Sequence, residues 1–243
     1  MTRKKPYAVW TKRHAAFVLL ALFLAAVLIV IAAAALPYAY ANATAAAQRR
    51  LPIYCTDRPG KVVSLTFDAA WGDEDTQQLI EILGKYKVRA TFFVVGEWVD
   101  RCGDSVKALF DAGHEIMNHS DSHPNMPKLS RERMLEEINR CNDKIQAITG
   151  VRPTLFRPPY GEYDDHVIST VRGMGIQPIQ WDVDSLDWKD YDAATITQRV
   201  TEKVGPGSIV LFHNAALHTP EALPGILEYL LSVLLCLLRP KTT

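Results

Sequence analysis

Apolar positions fall into three regimes along this chain of 243 residues. Ala15 to Leu36 is an uninterrupted apolar run of 22 residues, and about 20 suffice to cross the hydrocarbon core of a bilayer as a helix. Tyr38 to Arg50 is Ala-rich and reads as a tether. From Lys61 onward, short β-type runs alternate with segments of helical period. Strands are predicted over Lys61 to Phe67, Val88 to Val95, His114 to Asn118, Thr154 to Arg157, Ile176 to Trp181 and Ser208 to Phe212. Helices are predicted between them. Glu74 to Tyr86 places Leu79, Ile82, Leu83 and Tyr86 on one side. Ser105 to Ala112 is stopped by Gly113, and Ser130 opens a helix through Ile148 with Gly150 just past its end. Asp164 to Met174 and Ala193 to Val204 follow, and Pro220 opens a last helix.

This alternation predicts an α/β fold with a parallel sheet covered by helices, closed as a barrel or open and doubly wound. In either form, reactive groups collect at the carboxyl ends of the strands. Asp68, Asn118 and His119, Arg157 to Gly161, Asp182 to Trp188, and His213 all follow predicted strands. The unusual polar residues therefore share one rim.

Charge orients the apolar run. Arg3, Lys4, Lys5, Lys12 and Arg13 precede it, and no charge follows until Arg49. The positive-inside rule then places residues 1–14 in the cytoplasm, 15–36 in the membrane as a single-pass anchor, and the rest outside. A secretory signal is the competing reading, with Ala41-Asn42-Ala43 as a cleavage site and a secreted product. Over the whole chain 27 basic residues balance 27 acidic ones, so nothing suggests a nucleic-acid partner. The four cysteines form no CxxC pair, which argues against a thiolate metal site. Cys102 and Cys141 could pair outside the cytosol, or all four could be isolated thiols.

His119 and His123 have i, i+4 spacing, which on one helical turn would aim both imidazoles at a metal such as zinc. Two surface histidines meeting by chance is the plainer reading. Asp68 at a strand end could take a proton from water, or could only make turn hydrogen bonds. Arg157 could pair with Asp68, and two prolines, Pro158 and Pro159, stiffen the loop that leads to the Tyr160 amide, a candidate oxyanion donor. His213 closes the apolar run Ile209 to Phe212, and an Asp beside it would fix its tautomer and raise its pKa, as suits a general acid. Trp71, Trp181 and Trp188 could stack on sugar rings or could be core.

Taken together, these motifs resemble the polysaccharide deacetylases of carbohydrate esterase family 4, the NodB-homology domain. Thr66-Phe67-Asp68 looks like the family's first motif, carrying the catalytic base. His119-Ser120-Asp121-Ser122-His123 looks like the second, with two metal-binding histidines. Arg157 to Gly161 looks like the third, and Asp184-Ser185-Leu186-Asp187-Trp188 like the fourth. Leu211-Phe212-His213 looks like the fifth, with the general acid. The run Thr66 to Gly72 and His213-Asn214-Ala215-Ala216 are similar to the sporulation-type branch.

The resemblance implies a distorted (β/α) barrel over residues 61–238, with 37–60 as tether. It implies removal of N-acetyl groups from a polysaccharide, peptidoglycan or a chitin-like glycan. Asp68, His213, Arg157, Asp187 and Tyr160 would be catalytic, and Pro158, Pro159, Trp188 and Leu211 would contact substrate. His119 and His123 would hold a divalent metal, zinc first. The chain departs from the family in two places. Ala69 stands where the family usually has a second aspartate that completes the metal site; Asp73 or Asp75 is the candidate substitute. The chain also ends in a Leu-rich segment, Leu230 to Leu238, in place of the usual helix and strand. An inactive glycan-binding or spore-assembly protein on the same fold is the alternative.

Overall fold

The computed structural model describes residues 12–46, 49–57, 60 and 62–233. The basic residues up to position 11, Lys61, and the end from position 234 with Cys236 lie outside the described residues. The chain divides between Arg49 and Arg50 into two compact units. The first contains one helix, α1 (Lys12–Ala46), which runs on through residues expected to be tether. Its segment Phe17–Ala35 is long and apolar enough to cross a membrane. A signal sequence passes the same test.

The second unit follows the order β1 (Ser64–Ala69), α2 (Thr76–Lys85), β2 (Thr91–Val94), α3 (Gly96–Arg101), α4 (Gly103–Asp111), β3 (Glu115–Asn118), α5 (Arg131–Thr149), β4 (Leu155–Phe156), α6 (Asp165–Gly173), β5 (Gln177–Pro178), β6 (Val183–Asp184), α7 (Ala193–Thr201), β7 (Ile209–His213) and α8 (Thr219–Val233). Its strands form a parallel seven-stranded sheet in the order β5-β4-β3-β2-β1-β7-β6. The sheet curls into a half-barrel, so the expected distorted barrel is the fold observed.

Side chains alternate across each strand, and here the two faces have different work. Phe67, Phe92 and Phe212 lie side by side on the convex face, with ring centroids 4.8 and 5.3 Å apart. Beneath α2, α3, α4, α7 and α8 they join Leu83, Trp98, Val106, Val200 and Leu223 in the main apolar core. A second cluster sits under α5 and α6, around Met134, Ile138, Phe156 and Val171. The concave face carries Phe93 and Ile209 low in the barrel, and Thr66 and Asp68 above them.

Residues 50–57, expected to be tether, belong to the compact unit. The Ile53 amide donates to Pro178 O at 2.9 Å, and Ile53 O accepts from Gln180 N at 2.7 Å. Thr56 N bonds Gly207 O at 2.8 Å. This strap runs from the free edge at β5 to the entry of β7, and Ile53 packs on the low barrel cluster. It satisfies part of an edge that would otherwise be open.

Candidate functional site

Strand register builds the site. Asp68 lies directly beside His213 in the β1–β7 pair, and Asn118 lies beside Phe156 in the β3–β4 pair. The residues that follow those ends, His119 and Arg157, therefore arrive at the same rim. A cleft of about 420 Å³ opens there, lined by Asp68, Trp71, His119, His123, Tyr160, Trp181, Trp188, Leu211 and His213, among others. That volume is in the range of small-ligand sites.

Arg157 lies behind the cleft wall and is fully buried. Its Nη1 donates to Asp68 Oδ1 at 2.7 Å, and its Nη2 donates to Thr66 Oγ1 at 2.9 Å. The guanidinium stacks 4.2 Å from the centroid of the Phe93 ring. Burial would raise the Asp68 carboxyl, but the Arg157 guanidinium, with help from His213, holds it below the usual carboxylate range. Asp68 is therefore an ionised base with one oxygen fixed and the other, Oδ2, 3.5 Å from His119 Nε2.

His213 is held from the opposite wall. Its Nδ1 lies 2.8 Å from Asp187 Oδ1, and its backbone N–H donates to Asp187 Oδ2 at 2.8 Å. Thr219 Oγ1 donates to the same Oδ2 at 2.7 Å. Burial works to lower the His213 pKa, but the Asp187 bond and charge outweigh it, so the net shift is upward. With Nδ1 on Asp187, Nε2 is the nitrogen left for a substrate.

The two other histidines meet without a helix. Ser120 (φ 69) and His123 (φ 56) are left-handed, and the loop is pinned by Asn118 Oδ1 on Ser120 N and Ser120 Oγ on His123 N. The expected helical turn is corrected accordingly, although the rings do approach, with centroids 5.0 Å apart. His119 Nδ1 sits 2.7 Å from Arg157 O, so it carries the proton and leaves Nε2 bare. Burial favours the neutral form of both rings, taking His123 down to about 4.

Neutral imidazoles suit a metal, but the rest of the donor set is missing. Among the described residues no three His, Cys, Asp or Glu side chains converge on a point. Ala69 is buried in the main apolar core. Asp73 Oδ2 accepts from Ser105 Oγ, and Asp75 Oδ2 accepts from Ala215 N, so neither substitutes. A catalytic zinc site has three protein ligands, and this arrangement does not fit one.

Of the expected substrate contacts, Trp188 and Leu211 line the cleft with Tyr160, whereas Pro158 and Pro159 do not. The prolines are buried and act by shaping the loop, in which Tyr160 is left-handed at φ 60. Thr219 was not singled out by sequence for the site, Asn214 entered only within the run His213-Asn214-Ala215-Ala216, and Asp75 only as a candidate metal ligand. Asn214 clamps the loop after β1, accepting from Ala70 N and donating to Gly72 O. Asp75 anchors left-handed Ala215, and burial raises its carboxyl to about 6. Cys55, Cys102 and Cys141 are all free thiols, so the Cys102–Cys141 pair does not form.

Residues 56–179 match the family model described as polysaccharide deacetylase. The chain is 39% identical over 170 residues to the peptidoglycan-N-acetylmuramic acid deacetylase PdaC of Bacillus subtilis, covering 70% of this chain and 36% of that protein. A CE4 family pseudoenzyme from Bacillus anthracis has a similar crystal structure, with a TM-score of 0.72, 37% identity and coverage of 76% and 66% of the two chains. The peptidoglycan N-acetylglucosamine deacetylase Bc1960 also aligns with a TM-score of 0.72, at 31% identity, covering 74% of this chain and 86% of that one. The chain spans between about a third and about half the length of the first curated relatives it matches.

Proposed function

Because the chain belongs to the polysaccharide deacetylase family, carbohydrate esterase family 4, we propose that it removes N-acetyl groups from a cell-wall glycan, peptidoglycan first. The observation that carries this reading is the facing of two polarised pairs across one cleft, Arg157–Asp68 and Asp187–His213. A binding site needs no such pairing of an ionised carboxylate with a proton-charged imidazole. Amide hydrolysis needs both. The names of the relatives, which are peptidoglycan deacetylases, supply the substrate class.

In this reading Asp68 Oδ2 takes a proton from water as the water oxygen bonds to the acetyl carbonyl carbon. The oxyanion is received by the Tyr160 N–H. As the C–N bond breaks, His213 Nε2 gives its proton to the departing amine, and the products are acetate and an amino sugar. Arg157 keeps Asp68 ionised and aimed, and Asp187 keeps the imidazole charged and in one tautomer. Family members typically use a divalent metal, but with two ligands here no step is assigned to one. An apolar helix before the domain fits either an anchor or a signal, and both deliver the domain to the wall.

Acetate release from peptidoglycan and from N-acetylglucosamine oligomers by the full chain tests the proposal. Asp68→Asn is expected to lower the rate by about 100-fold or more. Equal rates would refute the assignment of Asp68.

Ala69 favours a second reading, a glycan-binding protein that no longer hydrolyses, since the carboxylate usual at that position is replaced by a methyl group. Saturable glycan binding with no acetate release under any metal would establish it.

A further inference from the structure

Trp71 is the most conspicuous group in the cleft that neither reading has used. It is 55% exposed, an unfavourable state for an indole in water. Its ring centroid lies 5.7 Å from that of His213, with the planes inclined by 47°. The loop that carries it is held from three sides. Asn214 bonds Ala70 N and Gly72 O, Trp98 Nε1 donates to Gly72 O at 3.0 Å, and Asp75 reaches across to Ala215 N at 2.9 Å. Trp98 itself is fully buried. The exposed ring thus stands on a fixed base, so a ligand would not have to order it on binding.

We infer that Trp71 is a sugar-stacking platform on the His213 side of the cleft, which binds a second pyranose of an extended glycan next to the one whose acetamide enters between Asp68 and His213. The inference rests on the glycan reading of this site and names the subsite that would set its preference for polymer over single sugars. A pyranose presents a flat C–H face of indole size and a polar edge, and the surroundings match. Trp71 supplies the apolar face, and His213 marks the side to which the sugar nitrogen departs. At the far end of the cleft Tyr160, 66% exposed, rests against His123 with ring centroids 4.5 Å apart. Trp71 beside His213 and Tyr160 beside His123 thus stand on either side of the reacting groups, and Trp188, 52% exposed, is a third exposed ring in the cleft. A glycan chain, unlike a compact ligand, would cover both Trp71 and Tyr160.

The test is binding, which needs no turnover. The full chain in detergent is titrated with N-acetylglucosamine and with its dimer and tetramer, and affinities are read by calorimetry. Wild type is expected to bind the tetramer about tenfold more tightly than the single sugar, the gain of one covered indole face. Trp71→Ala should erase that gain while Trp71→Phe keeps most of it. A length gain that survives in Trp71→Ala overturns the platform and leaves the glycan reading standing. No binding of any oligomer by wild type, with the fold intact by circular dichroism, overturns both.

Discussion

Arg157 and Asp187 show how much of the site is built one residue behind its reacting groups. Neither lines the cleft, yet each fixes the charge state of the side chain that does. Thr219 extends this by one more bond, giving Asp187 a third donor in a fully buried setting. Thr219→Val is expected to cost about 1–2 kcal/mol of stability by denaturant unfolding and to lower acetate release about tenfold, with Thr219→Ser restoring both.

Asp75 is a different case, a buried carboxyl with one oxygen on Ala215 N and the other without a partner. Its folded pKa, about 6, lies above the ordinary carboxylate value near 3.9. Folding therefore pays for its charge above pH 6, and that penalty fades as pH falls towards 4. The stability difference between Asp75→Asn and wild type should accordingly shrink by about 1–2 kcal/mol on going from pH 7 to pH 4. A pH-independent difference between the two would show that the carboxyl is not perturbed.

Sequence exposed Asp68 and His213 because each ends a hydrophobic strand. It missed Thr219, and the bond that Asp75 accepts from Ala215, because the partners Asp187 and Ala215 are brought near only by folding, and Thr and Asp at helix starts have an ordinary local explanation.

At the scale of elements, periodicity located the helices of the second unit to within a few residues, except α3 (Gly96–Arg101), which it did not predict. The Ser130 cap is confirmed, with its Oγ accepting from Arg133 N at 3.3 Å, and Gly150 closes α5 at φ 73. Strands β4 and β5 are only two residues each, shorter than the predicted runs Thr154 to Arg157 and Ile176 to Trp181, and the two-residue edge strand β6 was not predicted at all. Ladder pairing, which hydropathy does not report, sets those limits. The histidine loop departs from its expected form for a similar reason. Asn118, Ser120 and Glu137 satisfy its backbone amides directly, so the helical alternative loses its advantage.

The strap over residues 50–57 was hidden because an Ala-rich segment and a short mixed one look like linker. Its bonds to Pro178, Gln180 and Gly207 are long-range. A chain that begins after residue 57 should unfold about 2 kcal/mol more easily than one that begins at Arg49. Equal stability of the two would make the strap a passive passenger.

For the molecule as a whole, topology does the assembling. Asp68, His119, Arg157, Asp187 and His213 are spread over most of the second unit. A parallel sheet delivers them together because every strand presents its carboxyl end to the same rim. The order of strand-end residues made that rim legible in the sequence, and the family resemblance supplied the half-barrel. The metal site was the least legible feature, since it depends on how many ligands converge. Among the described residues no three such side chains converge, and Ala69 lies in the core. In the proposed hydrolysis a carboxylate held ionised and an imidazole held protonated therefore do the chemistry. The pH dependence of kcat for acetate release from peptidoglycan tests it most directly. Asp68, with its pKa lowered, must be deprotonated, so activity should fail only below about pH 4. His213, with its pKa raised, must be protonated, so activity should be full below about pH 6.5 and fall as pH rises through its higher folded value. A rate that goes on climbing far into the alkaline range, or no release at any pH, would contradict these roles of Asp68 and His213.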